Sequence, residues 1–476
     1  MALFIFFLIM LLNVWAAGHA LMYKRDPRTA WGWIVTCLLI PTLGPILYYL
    51  LGINRIKTRA KKLKAEPLAL TQQGRGAPQS TLTSRVLVQD VDKFHSNLRA
   101  GLTDKLTNRP LLGGNKVHVL FNGNQAFPEM LAAINSARKY VYLQTFIFES
   151  NNWGMRFVGA LSQACKRGLD VRVLVDGIGE LYSWPKISRY LKRAGVPFSR
   201  FLPPKLIPVS PFLNLRNHRK MLIIDDMMGF TGGMNIGDRH VVDYEKSKGA
   251  QDIQFQFKGP VVSQMKDVFM EDWSFCKGFH LPTRDSGHDL QVFGDAFCRT
   301  ITVGPNQDID KLRMLYTGMV SQAKSKIIIM TPYFLPSQEL LGALQVASLR
   351  GVEVTIVLPE KNNLPFVHWA TRNMLWEILQ YRVNVYYQPP PFDHSKLFLV
   401  DDEYCVIGSA NMDPRSLRLN FEMVVEVYSK RLAAILYSHV EQKIMSSRKL
   451  TLEEVDSRSI PARLRDSLCW LFSPYL

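Results

Sequence analysis

Two stretches of this chain, about 175 residues apart, carry the same pattern. The first is NHRKMLIIDDMMGFTGGMNIGD, Asn217 to Asp238, and the second is DHSKLFLVDDEYCVIGSANMD, Asp393 to Asp413. Both read His, any residue, Lys, four residues, Asp, six residues, Gly-Gly or Gly-Ser, any residue, Asn. Two further pairs precede them in the same order. SARKYVYLQTFIF (136–148) matches SQAKSKIIIMTPYFL (321–335), and ALSQACKRGLDVRVLVD (160–176) matches ALQVASLRGVEVTIVLP (343–359). Three blocks in register mean an internal duplication. The first pair reads as a helix end and a buried strand. The second reads as an amphipathic helix stopped by Gly, then a strand. Strand, helix, strand implies a parallel crossover unit. The expected soluble part is two similar α/β halves packed together.

The repeated residues carry chemistry. His and Lys two apart on a strand share a face, so His218 with Lys220 and His394 with Lys396 point into one cleft. Two facing halves then bring two imidazoles and two ammonium groups to a single phosphate. The lysines neutralise phosphate oxygens as charge develops. One imidazole attacks phosphorus and forms a covalent intermediate. The other protonates the leaving alkoxide and deprotonates the incoming alcohol. A lone histidine is more often a hydrogen-bonded core residue, but repetition of the whole set weighs against that here. The six cysteines are scattered, with no C-x-x-C pair, and the ten histidines show no metal spacing. A reducing compartment and chemistry without metal or cofactor are the simplest expectations.

The N-terminus differs in kind. Ala2–Met22 has no charged side chain, and after Lys24, Arg25, Asp26 and Arg28 a second uncharged run covers Thr29–Asn54. Each run is long enough to cross a hydrocarbon core, which takes roughly 20 helical residues. No basic residue precedes the first run, as a secretory signal requires. Pro41, Gly44 and Pro45 kink the second run or turn it back within the membrane. Arg55, Lys57, Arg59, Lys61, Lys62 and Lys64 follow, so the charge bias puts everything after residue 54 in the cytoplasm. The net charge of +18 points to a polyanionic partner, and beside these runs an anionic membrane surface fits better than nucleic acid. Hydrophobic residues at 47% against 21% charged exclude wholesale disorder. The expected organisation is an anchor (1–54), a basic segment and linker (55–115), and two halves (116–295 and 296–476). The last stretch, 460–476, mixes arginines with Leu, Trp and Phe; it reads as an interfacial helix or a plain docked one.

The paired blocks resemble the signature motifs of the phospholipase D superfamily, and the wider chain is similar to bacterial cardiolipin synthases. The resemblance rests on NLRNHRK (214–220), FTGGMNIGD (230–238), TPYFLPS (331–337) and GSANMDPRSLRLNFE (408–422). It implies two tandem phospholipase D-like α/β halves in one pseudo-symmetric catalytic unit, behind two transmembrane segments. It implies that His218 and His394 are nucleophile and general acid/base, with His218 the nucleophile. Lys220, Lys396, Asn235 and Asn411 hold the phosphate. Asp225 and Asp401 brace the site from behind. Asp252, 34 residues after His218, and Glu422, 28 after His394, match the family's histidine-orienting carboxylates; ordinary surface acids are the alternative. Asp393 departs from the family pattern and either raises the pKa of His394 or points to solvent. The implied reaction joins two phosphatidylglycerols into cardiolipin and glycerol at the inner membrane, with anionic phospholipids as partners. Hydrolysis by the same site, as a phospholipase or nuclease, is the second reading, and a non-catalytic lipid-binding scaffold the third.

Overall fold

The computed structural model describes residues 2–24, 27–52, 98–107, 109–204, 215–243, 249–278, 291–304 and 310–473. The basic run from Arg55 to Lys64, most of the expected linker and Asn214 lie outside them. Chain contacts divide the molecule into two bodies, Met1–Gln73 and Gly74–Leu476.

In the first body, α1 (Ala2–Tyr23) is a continuous apolar helix whose Leu3–Tyr23 stretch has a mean hydropathy of 2.0. That length and composition suffice to cross a membrane. The second run is not one helix. α2 (Pro27–Leu39) stops before Pro41, whose ring removes a backbone donor and clashes with the preceding turn. The chain reverses through Thr42, at φ 71°, into α3 (Leu43–Leu47). Gly44 allows this: a Cβ there would sit 2.3 Å from the Thr36 carbonyl oxygen. Ala16 and Ala20 of α1 pack against Cys37 and Tyr48, and His19 Nδ1 lies 2.7 Å from the Tyr48 hydroxyl. The expected second span is therefore a short apolar helix and a turned-back segment.

In the second body, α4 (Leu98–Leu106) falls within the stretch read as linker, and β1 (Leu112–Phe121) follows it. Thereafter the halves run in parallel. The first has α5 (Asn122–Ser136), β2 (Tyr140–Thr145), α6 (Asn152–Lys166), β3 (Asp170–Asp176), α7 (Ile187–Arg193) and β4 (Phe198–Phe201). It ends with β5 (Met221–Ile224), β6 (Met228–Gly232), β7 (Ile253–Lys258) and α8 (Val261–Lys277). The second has β8 (Ala296–Val303), α9 (Lys311–Gln322), β9 (Lys326–Met330), α10 (Gln338–Leu349), β10 (Glu353–Pro359), α11 (Pro365–Leu379) and β11 (Asn384–Gln388). Then come β12 (Leu397–Val400), β13 (Tyr404–Gly408), α12 (Pro414–Arg418), β14 (Glu422–Tyr428) and α13 (Lys430–Met445). β15 (Arg448–Lys449), α14 (Leu452–Asp456) and α15 (Ile460–Leu471) complete the chain.

The strand order is β15-β11-β10-β9-β12-β13-β14-β8-β1-β7-β6-β5-β2-β3-β4. Read outward from the central β8–β1 pair, both sides give the same sequence of partners over six strands, and in the second half β15 adds one more, antiparallel to β11. Each half has three parallel strands in its outer part and antiparallel strands toward the centre. The duplication read from sequence is thus a duplication of topology. The glycine stops also hold: Gly168 ends α6 at φ 82° and Gly351 ends α10 at φ 89°, a left-handed turn that costs other residues strain.

Three cores fix the layers. α5, α6 and α7 cover one face of the first half, and α9, α10 and α11 cover the matching face of the second. α8 and α13 share the third core with strands from both halves. This last layer matters for the site, because α8 and α13 each reach behind one histidine. α15 packs by burying Asp466 and Cys469, with Arg372, Arg458 and Arg465 around the Asp466 carboxylate. Its Ile460, Leu464, Leu468 and Leu471 stay exposed.

Candidate active site

Each histidine precedes a short buried strand, His218 before β5 and His394 before β12. The preceding segments do not pair within their own half. His218 N donates to Phe421 O at 2.9 Å and Phe421 N to Arg216 O at 2.8 Å. His394 N donates to Gln251 O at 2.7 Å and Gln251 N to Phe392 O at 2.8 Å. Each motif is thus stitched to the other half just ahead of Glu422 in one case and Asp252 in the other.

The carboxylates follow. His218 Nδ1 lies 3.0 Å from Glu422, and His394 Nδ1 lies 2.9 Å from Asp252 Oδ2. Both carboxylates are fully buried at the side chain, while each histidine keeps 12% of its side chain exposed. A carboxylate on Nδ1 leaves the Nε2 lone pair free for chemistry. The pairing is crossed, 204 residues apart in one case and 142 in the other.

The lysines return to their own motifs. Lys220 Nζ donates to His218 O at 2.7 Å, and Lys396 Nζ to His394 O. Burial lowers Lys220 to a pKa of about 7, with Glu422 opposing and Lys396 adding to the fall. Burial lowers Lys396 to about 8, against the pull of Asp252 and Glu422. The positive charge of Lys396 adds to the lowering of Lys220, and an arriving phosphate anion would favour the charged form of both lysines.

Burial also lowers both imidazoles. In His218 the attraction of Glu422 opposes it. In His394 the charges of Lys396, Lys220 and His218 push further down, well below the usual value. The carboxylates diverge for a visible reason. Glu422 is held below its usual pKa against its own burial, because His218 and Lys220 attract it and Ser409 Oγ donates to it at 2.6 Å. Asp252 is pushed by burial up to about 6. The position matching Ser409 is Gly233, where a Cβ would lie 2.6 Å from Asp252 Oδ1. That glycine makes room for Asp252 and offers it no hydroxyl.

Asp225 and Asp401 lie one strand beyond the lysines of their motifs. Each follows its strand at positive φ (54° and 51°) and accepts three successive backbone N–H groups. Asp225 takes those of Arg138, Lys139 and Tyr140; Asp401 takes those of Lys324, Ser325 and Lys326. They fix the start of β2 and of β9. Asn235 accepts from Ile147 N at 3.1 Å, which leaves its amide N–H₂ for another partner. Asn411 is buried, with its Oδ1 unpartnered.

Sequence reasoning missed the groups behind the histidines. Asp272 on α8 accepts from Asn217 Nδ2 at 2.8 Å and Arg219 Nη1 at 2.7 Å. Lys443 on α13 pairs with Asp393 at 3.0 Å, and Asp393 also accepts from Ser395 N. Asp393 is thus buried and compensated rather than solvent-facing. His240 was missed too: it is buried, its Nε2 accepts from Asn235 N at 3.3 Å, and its ring centroid is 6.3 Å from that of His394. Phe146 and Tyr333 stand beside the two histidine rings, Phe146 at 5.1 Å from His218 and Tyr333 at 6.3 Å from His394. Both lie in the first pair of repeated blocks, and Tyr333 also falls within the TPYFLPS stretch (331–337) that carries the family resemblance.

Residues 130–273 and 316–444 match the family model described as cardiolipin synthase, PLD-like domain. The chain belongs to that family. Residues 11–52 match a phospholipase D–nuclease N-terminal model. The major cardiolipin synthase of Bacillus subtilis is 33% identical over 465 residues, 95% of either chain. A cardiolipin synthase of Clostridium perfringens is 29% identical over 462 residues, again 95% of each. Among solved structures, the phosphatidylserine synthase of Haemophilus influenzae aligns with a TM-score of 0.62 at 15% identity, over 80% of this chain and all of that one. That likeness supports the two-half phospholipase D fold alone. Membership of the cardiolipin synthase family makes the chain an enzyme of phospholipid metabolism.

Proposed function

We propose that the chain is a membrane-bound phosphatidyltransferase that makes cardiolipin and glycerol from two phosphatidylglycerols. The observation that carries this reading is the crossed pairing of two histidines with two buried carboxylates, flanked by two lysines of lowered pKa. His218 Nε2 attacks phosphorus of the first lipid, and the bond to the glycerol headgroup oxygen breaks. His394, protonated at Nε2 once the phosphate anion is bound, gives that proton to the departing glycerol. The phosphatidyl group then sits on His218, whose positive ring is stabilised by Glu422. His394 takes the proton of the incoming glycerol hydroxyl, that oxygen attacks phosphorus, and the P–N bond breaks. Lys220 and Lys396 hold the phosphate oxygens throughout, with the amides of Asn235 and Asn411. His218 is assigned as nucleophile because Glu422, the better stabilised carboxylate, supports the developing imidazolium.

α1 spans the membrane in this reading. α2 and α3 form a second, turned-back membrane element, and the catalytic body lies on the cytoplasmic side near anionic lipid. Anchoring raises the effective concentration of both substrates. With water as acceptor the same steps give phosphatidic acid. Purified protein in phosphatidylglycerol vesicles is expected to release glycerol and form cardiolipin, measured by lipid mass spectrometry. Phosphatidic acid as the main product would replace transfer with hydrolysis. Denatured wild-type protein quenched during turnover is expected to carry a phosphatidyl adduct that His218→Ala lacks.

A further inference from the structure

The catalytic rings are recessed, yet lipid phosphates lie in a bilayer surface. Two connections flank those rings. The segment after β3 exposes Leu181 (49%), Tyr182 (58%) and Trp184 (85%). The segment after β10 exposes Leu364 (45%) and Phe366 (62%). These are equivalent positions in the duplication, beyond the carboxyl ends of parallel strands, where α/β sheets place their ligands. Each connects inward to one histidine. The Tyr182 ring is 6.0 Å from Phe146, which is 5.1 Å from His218. Asn363, beside Leu364, accepts from the Tyr333 hydroxyl at 2.8 Å, and Tyr333 is 6.3 Å from His394.

Large apolar side chains so exposed are otherwise unfavourable in water. Trp, Tyr, Leu and Phe are the residues that settle in the interfacial layer of a bilayer. The neighbouring charges fit as well. Lys186 follows Trp184, and the acid ahead of it, Glu180, is held by Arg200 at 2.6 Å. Lys361 precedes Leu364, and Glu360 faces Arg448 at 3.9 Å.

We infer that Leu181, Tyr182 and Trp184 from one half and Leu364 and Phe366 from the other form a paired rim that inserts into the interface of an anionic phospholipid bilayer. The rim seats the cleft on the headgroup layer, so that lipid phosphates reach the histidines without leaving the membrane. This rests on the proposed lipid chemistry for its purpose, though its test does not need turnover.

The full chain is reconstituted in phosphatidylglycerol vesicles containing a lipid with brominated acyl chains. Tryptophan emission of wild type and Trp184→Phe is compared with and without bromine. Insertion predicts that bromine quenches the wild type more and that the excess disappears in Trp184→Phe. Equal quenching overturns the rim, whatever the enzyme's activity. In the second arm, Trp184→Ser/Phe366→Ser is expected to lose about tenfold or more of its rate on long-chain vesicles, from lost interfacial apolar contact. It should keep the wild-type rate on monomeric short-chain phosphatidylglycerol, and Trp184→Phe should stay near wild type on both. An equal loss on both substrates, or none on vesicles, overturns the inference. Wild type inactive on both substrates, with the quenching difference intact, overturns phosphatidyl transfer and leaves the rim standing.

Discussion

The two motif loops share a backbone and reverse a charge. In the first half the residue before the histidine is neutral Asn217, the residue after it is Arg219, and the anchor on α8 is Asp272. In the second half the residue before is Asp393, the residue after is neutral Ser395, and the anchor on α13 is Lys443. Each loop therefore buries one cation and one anion behind its histidine, with the signs placed oppositely. What the duplication has preserved is local neutrality and a fixed loop, not particular residues. The carboxylates differ in the same spirit: Ser409 strengthens Glu422, whereas Gly233 only makes room for Asp252.

The largest expected effect comes from that second difference. Glu422→Gln should lower kcat by about 10²- to 10⁴-fold by removing the charge that supports the His218 imidazolium. Asp252→Asn should cost less in adduct formation and more in the alcohol-dependent step, as read by rapid quench. Equal effects on both steps would erase the functional contrast between the halves. Next in size, Lys443→Met leaves Asp393 buried without its cation and should destabilise the protein by about 3–5 kcal/mol in a denaturant titration. Asp393→Asn in the same chain should recover most of that loss. Converting the second loop to the first, with Asp393→Asn, Ser395→Arg and Lys443→Asp together, should fold better than Lys443→Met alone if neutrality is the rule.

Smaller effects are expected at the braces. Asp225→Ala and Asp401→Ala each strand three backbone N–H groups and should cost about 1–3 kcal/mol. Similar losses in the two variants would support equivalence of the halves there. The gentlest test is pH. Attack needs a neutral His218 and charged lysines. His218 titrates below the usual 6.5, so the acid limb of kcat/KM should lie below that value. Lys220 and Lys396 lose charge at about 7 and about 8, so kcat/KM should fall above that range, by at most about tenfold per pH unit for each group. Lys220→Arg should move the alkaline limb upward, because a guanidinium keeps its charge.

Much of this was legible in the chain. Repetition marked His218, Lys220, Asp225, Asn235 and their partners in the second half, since a spacing kept twice signals a shared geometry. The glycine stops at Gly168 and Gly351 were legible from backbone stereochemistry. The crossing of Glu422 to His218 was not, because spacing counts along one strand of sequence and says nothing of which half closes over which. Asp272 and Lys443 were hidden on ordinary amphipathic helices, with no motif around them. Pro41 announced a break in the second apolar run. Which way the chain turned depended on Gly44 meeting the Thr36 carbonyl, a contact that composition cannot reveal.

The exchanged carboxylates bind the fates of the two copies. A chain cut between the halves would yield fragments that each hold a histidine without its partner carboxylate, so under the proposed chemistry neither should work until the other returned. Once such an exchange exists, a spare copy no longer exists. A lesion at Asp252 disarms the distant ring rather than its neighbour, and a lesion at Glu422 does the reverse. Selection on either copy is then selection on both.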